Sequence, residues 1–136
     1  MILVDTSVWI EVLRDRTGEV VRLFRERVRG HTCVLTRFSQ LELLQGARND
    51  TEWKMLDEYL STQYYLEASE NTWREAARIY FDLRRKGFTV ASPIDCCIAQ
   101  IAIDSGSLLL HRDQDFSKIA ELRPLAADLF DLRGSS

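Results

Sequence analysis

The chain has 136 residues, 46% of them hydrophobic, which suits one compact domain with a real core. Eighteen basic against twenty-one acidic residues leave a net charge of −3, so bulk electrostatics does not draw the protein onto a polyanion and any nucleic-acid binding has to be local. No apolar run approaches the roughly 18 residues of a spanning helix, the opening Met1-Ile2-Leu3-Val4-Asp5 lacks the basic start of an export signal, and Cys33, Cys96 and Cys97 have neither an even count nor metal-ligand spacing. A cytoplasmic protein with no membrane contact, and cysteines that pack as small core residues, are therefore expected.

Met1 to Val4 is an apolar, β-prone run, and Asp5-Thr6-Ser7 supplies capping residues before Val8, Trp9, Ile10, Val12 and Leu13, which reads as strand, turn, helix. A second helix is predicted over Glu19 to Arg29 with Gly30 as its stop, then a buried strand over Thr32 to Leu35. Helices follow over Arg37 to Ala47, with Thr36 as cap and Gly46 near the end, and over Asp50 to Leu60; Tyr64 to Leu66 reads as a short strand. Ser69 and Asn71 can cap a long helix whose apolar stripe is Trp73, Ala76, Ala77, Tyr80, Phe81 and Leu83 and whose last turn is basic. Pro93 fits the first turn of a helix running to about Ser105. Leu108 to His111 is a strand, Asp113 to Glu121 a short helix, and Ala127 to Leu132 an edge strand. This alternation predicts an α/β sandwich around a mainly parallel sheet, one domain over residues 1–133 with 134–136 as a loose tail.

Four acids stand beside apolar runs in four separate segments: Asp5 closes the first strand, Glu42 lies within Leu41 to Leu44, Asp95 precedes Cys96-Cys97-Ile98-Ala99, and Asp113 follows Leu108-Leu109-Leu110. Carboxylates beside core sequence are costly to desolvate, and in a parallel sheet the residues just after strands meet at one edge, so a shared divalent cation is the first hypothesis. Each acid also has a blander reading. Asp5, Asp95 and Asp113 could be helix caps, and Glu42 could pair with Arg37 or Arg48.

Val4-Asp5-Thr6-Ser7 with Trp9-Ile10, Ser39-Gln40-Leu41-Glu42-Leu43-Leu44-Gln45-Gly46, Asp95-Cys96-Cys97-Ile98-Ala99 and Leu110-His111-Arg112-Asp113-Gln114-Asp115-Phe116 together resemble PIN-domain nucleases, above all VapC-type toxins of bacterial toxin–antitoxin pairs. The resemblance covers essentially the whole chain. It implies a PIN-like α/β/α sandwich and an acidic site of Asp5, Glu42, Asp95 and Asp113 that is catalytic and binds one or two Mg²⁺ or Mn²⁺ ions. It also implies Asp115 as an auxiliary acid outside direct metal contact, with Thr6 and Ser7 as small polar residues beside the metal or phosphate. Many relatives carry Thr where this chain has His111, which reads as a neutral, hydrogen-bonded histidine ending a strand.

The activity so implied is metal-dependent endoribonuclease cleavage of tRNA or rRNA, leaving 5′-phosphate and 3′-hydroxyl ends; the partners are a VapB-like antitoxin protein and a second copy of the chain. Arg14, Arg16, Arg84, Arg85, Lys86 and Arg112 are candidates for a phosphate-binding rim, although solvation alone explains most such residues. Trp9, Trp53 and Trp73 are expected in core or interface packing, and Phe116 in the core. Competing readings are a catalytically silent PIN-like scaffold and a phosphoaspartate receiver domain. Against the second, no lysine occurs between Leu108 and Phe116.

Overall fold

A computed structural model describes residues 1–88 and 92–133. Five parallel strands, β1 (Ile2–Val4), β2 (Cys33–Thr36), β3 (Tyr64–Leu66), β4 (Leu108–His111) and β5 (Ala127–Leu129), lie in the order β3-β2-β1-β4-β5. The helices among the described residues are α1 (Thr6–Arg14), α2 (Glu19–Val28), α3 (Arg37–Gln45), α4 (Asp50–Ser61), α5 (Glu70–Arg85), α6 (Pro93–Ser105) and α7 (Asp115–Leu122). None of them is long and apolar enough to cross a membrane.

Alternate residues of each strand enter different cores. Ile2, Val4, Leu35 and Leu110 pack with Val8 and Trp9 of α1, Phe24 of α2, Leu43 of α3 and Leu60 of α4. Leu3, Val34 and Leu109 face the other way, onto Ala76, Ile79 and Leu83 of α5, the buried run of α6 and Phe116 and Ile119 of α7. Burial on both faces is why these strands read as unbroken apolar runs rather than as alternating patterns. The same logic applies to α6, where every residue from Cys96 to Ala102 is buried, so the helix shows no polar face there. Gly106 ends it with a left-handed φ of 66°, a conformation that glycine adopts without steric cost. Cys96 and Cys97 are buried and Cys33 is partly so, all three as free thiols.

Several element ends shift by two or three residues, α3 among them, which stops at Gln45 rather than Ala47. The last strand stops at Leu129 instead of reaching Leu132. Helix α7 begins at Asp115, two residues late, because Asp113 occupies a turn in which its Oδ1 accepts the Asp115 N–H at 2.9 Å. Trp9 lies in the core, whereas Trp53 and Trp73 are half exposed, at 47% and 57%, which removes the core half of the expectation for them and leaves the interface half untouched. The expected tail at 134–136 lies outside the described residues.

Candidate functional site

Strand β1 delivers Asp5 to the carboxyl edge of the sheet, where its N–H donates to the Leu110 carbonyl at 2.9 Å. Asp5 caps α1: its Oδ2 accepts from the Ser7 N–H (3.1 Å) and the Ser7 hydroxyl (2.6 Å). The cap works through Oδ2, so it does not preclude a second role through Oδ1. Ser7 Oγ also accepts the Arg112 N–H at 2.9 Å, which ties the segment after β4 to the first turn of α1.

Next to Asp5, buried Thr6 shares a 2.8 Å hydrogen bond with buried Ser39 and donates to Glu42 Oε1 at 3.4 Å. Ser39 and Glu42 are one helical turn apart on α3, so one face of that helix meets α1 while Leu41 points outward, 60% exposed. The ion-pair alternative for Glu42 does not occur. Arg37 pairs with Glu67 and Arg48 with Glu52, each at 3.1 Å. Burial raises the Glu42 pKa, the Asp5 charge raises it further, and the Thr6 hydrogen bond partly offsets both.

The third part of the edge is the most crowded. Asp95, Asp113 and Asp115 each offer one carboxylate oxygen, and these oxygens lie within 4.8 Å of one another. Asp95 stands in the first turn of α6, its N–H donating to the capping Ser92 hydroxyl at 3.1 Å. Burial, then repulsion from Asp113 and Asp5, pushes the Asp95 carboxyl up to about 6. Asp115 is raised too, by burial and by Asp113, with Lys118 at 3.8 Å opposing. The turn bond to Asp113 folds the start of α7 back, so Asp115, expected as a nearby auxiliary acid, lies beside Asp95 and Asp113.

His111 is 3% exposed, its Nδ1 accepts the Asp113 N–H at 3.1 Å, and its ring lies 5.1 Å from that of Phe116. Burial lowers its pKa despite the acids around it, so the imidazole is neutral with its proton on Nε2. It braces the Asp113 turn. A crowded set made only of carboxylate oxygens, with Asp95 and Asp115 raised in pKa by burial and by the Asp113 charge, has the donor chemistry that a hard divalent cation requires.

The predicted rim cations are dispersed. Arg14 and Arg16 are exposed around the end of α1, and Lys86 is exposed at the end of α5. The guanidiniums of Arg84 and Arg85 lie over the rings of Tyr80 and Phe81, both at 5.6 Å. Arg112 is tied to the acidic edge, but by its backbone, while its guanidinium donates to the Phe130 carbonyl at 2.7 Å. Ser39 and Ser92 were missed from sequence. The available signals were a serine three residues before Glu42 on the same helical face and a serine three residues before Asp95 at a capping position.

The family model for the PIN domain matches residues 2–122. A VapC ribonuclease of Mycobacterium bovis, Mb1587, is 35% identical over 134 residues, covering 96% of this chain and 99% of the relative. Ribonuclease VapC51 of Mycobacterium tuberculosis is 30% identical over 118 residues, 87% of this chain and 84% of that one. Among solved structures, VapBC2 from Rickettsia felis bound to a DNA fragment from its promoter aligns with a TM-score of 0.77 at 18% identity, covering 96% of this chain and 100% of the other, a likeness of fold.

Proposed function

This chain belongs to the PIN-domain family and within it to the VapC ribonucleases, and from that premise we propose that it is a divalent-metal-dependent endoribonuclease, the toxin of a toxin–antitoxin pair. The observation that carries the reading is the convergence of Asp95, Asp113 and Asp115 within 4.8 Å at the edge where Asp5 leaves the sheet. Asp95, Asp113 and Asp5 would hold Mg²⁺ or Mn²⁺, with Asp115 beside them as a further oxygen donor. Bound there, such a cation would supply water activation and neutralise charge developing on the phosphodiester.

The remaining work belongs to the chain. Ser7 and the α1 cap fix the Asp5 carboxylate, His111 holds the Asp113 turn, and Thr6 orients Glu42. Glu42, whose proton affinity is raised by burial and by Asp5, is the group that takes up a proton as water attacks phosphorus. RNA is the substrate by kinship with the VapC ribonucleases, and an unpaired loop or single strand gives such an edge access to the phosphodiester. The complexed form of structural relatives, VapBC, supports a VapB-like antitoxin as protein partner.

The test is cleavage of a mixed tRNA and rRNA pool with and without Mg²⁺ or Mn²⁺, using antitoxin-free protein. Metal-dependent cutting is expected, with Asp5→Ala and Asp95→Ala each reducing it by at least ~100-fold while remaining folded. Folded wild-type protein that cuts nothing with either metal would overturn the assignment.

A further inference from the structure

Helix α7 is seated on the core by Phe116 and Ile119, both fully buried and three residues apart. Asp115 and Lys118 have the same spacing, so they form the stripe beside the buried one. Side chains on a helix lean toward its N-terminus, and Lys118 therefore reaches back over the first turn to the acidic edge, where its Nζ lies 3.8 Å from Asp115 Oδ1. That separation is beyond hydrogen-bonding range. The ammonium is held by charge alone, on a flexible stem whose side chain is 35% exposed.

Among the described residues no other lysine or arginine forms an ion pair with Asp5, Glu42, Asp95, Asp113 or Asp115. The arginines closest to these acids in the chain are engaged elsewhere. Arg112 donates its guanidinium to the Phe130 carbonyl at 2.7 Å, Arg37 pairs with Glu67, and Arg48 pairs with Glu52.

A phosphodiester is an anion, and at this edge it has to approach five acids. One or two divalent ions do not cancel five ionised carboxylates, so the loaded edge still repels the phosphate unless the protein places a further positive charge beside it. Lys118 is in position to be that charge. Asp115, which it touches, offers an oxygen within 4.8 Å of those of Asp95 and Asp113, so a small swing of the stem carries the ammonium over the cluster. Lysine suits the task, being a compact point charge with three donors that can exchange one oxygen partner for another.

Given the ribonuclease activity proposed above, we infer that Lys118 is a substrate-binding residue of the reaction: its ammonium rests against Asp115 in the metal-free protein and passes to a non-bridging oxygen of the scissile phosphate once Asp115 is engaged by a cation. The same side chain thus opposes metal binding and favours substrate binding, two effects of opposite sign.

Two measurements on the full-length chain, free of other proteins, test this, the first without RNA. In calorimetric titration with Mn²⁺, Lys118→Gln is expected to bind the ion about threefold more tightly than wild type, because the charge competing for Asp115 is gone. In cleavage of the mixed tRNA and rRNA pool at saturating Mn²⁺, the same variant should lose ~10–100-fold in kcat/KM, the worth of one hydrogen bond to a charged group. The slope of log kcat/KM against log salt should become shallower by ~0.7, the share of one phosphate contact on a single strand. Lys118→Arg should restore most of the activity, and Lys54→Gln, at an exposed lysine of α4, should leave both measurements unchanged. Lys118→Gln that cuts as fast as wild type overturns the proposal. So does a variant that loses metal affinity together with activity, since that is the pattern of a structural defect, or a loss that Lys54→Gln reproduces. Wild type that binds Mn²⁺ and cuts nothing overturns the ribonuclease activity itself, and this role with it.

Discussion

The two halves of the acidic edge are built on opposite principles. Around Asp5 and Glu42, the hydroxyls of Ser7, Thr6 and Ser39 and the amide of Ser7 hold the carboxylates in place. Around Asp95, Asp113 and Asp115, acids face acids, and Lys118 at 3.8 Å from Asp115 is the nearby counter-charge. The first half is positioned by ordinary hydrogen bonds, which partly offset the burial and the Asp5 charge acting on Glu42. The second carries repulsion that burial intensifies, which is visible in the rise of Asp95 to about 6. One half is oriented by hydrogen bonds and lends Asp5 to the cation site, and the other supplies the crowded acids whose repulsion a cation would relieve.

Adding a divalent ion offers the strongest way to break this comparison. At about 100 times its dissociation constant, an ion that binds only the folded state stabilises it by ~2.7 kcal/mol. A thermal melt of wild type should show this gain with Mg²⁺ or Mn²⁺, and Asp113→Asn should abolish it. Asp115→Asn should weaken the metal titration by ~10–100-fold. A wild-type titration curve in Asp115→Asn would leave that residue the auxiliary acid, outside direct metal contact, that the family resemblance implies.

A smaller effect of opposite origin is expected in metal-free protein. Asp95 has an ordinary value of 3.8 and a folded value of about 6, so on acidification the folded state binds this proton first. The penalty for its charge is present above pH 6, is relieved as pH falls through that value, and is gone below the unfolded value. Stability should therefore gain ~0.5–1 kcal/mol from Asp95 between pH 7 and 5, after discounting for its partial exposure. His111, whose pKa is lowered by burial, acts in the opposite direction over an overlapping range. Denaturant melts of wild type against Asp95→Asn separate the two, and equal pH profiles would show that the acids do not repel as argued.

The smallest effect belongs to the oriented half. Thr6→Val removes the hydroxyl shared by Ser39 and Glu42 and should cost ~1–2 kcal/mol of stability, because Ser39 is left buried with one partner fewer. Metal affinity measured by calorimetry should change little. A loss of affinity comparable to that of Asp113→Asn would erase the distinction between the halves.

Much of the fold was readable in advance, for identifiable reasons. The strands are apolar because helices cover both sides of the sheet, and the caps at Asp5 and Thr36 are oxygen-bearing residues immediately before apolar periodicity. The start of α7 shifted because a side-chain bond from Asp113, rather than composition, set that boundary. Ser39 escaped notice because a serine inside a helix has many uses, and only its 2.8 Å contact with Thr6, thirty-three residues earlier, singles one out.

The sequence by itself determined the order of strands and helices, the apolar runs that build two cores, and the identity of the acids at the ends of elements. These are local properties, written in the spacing of apolar, capping and charged residues along the chain. Tertiary structure alone decided which acids share a site, that Arg37 and Arg48 turn away from Glu42, that Asp115 joins Asp95 and Asp113, and that Trp73 remains half exposed. The physical reason is that repulsion, desolvation and hydrogen bonding act across a few ångströms of space, and residues far apart in the chain come within that range only when the sheet brings their strand ends to one edge.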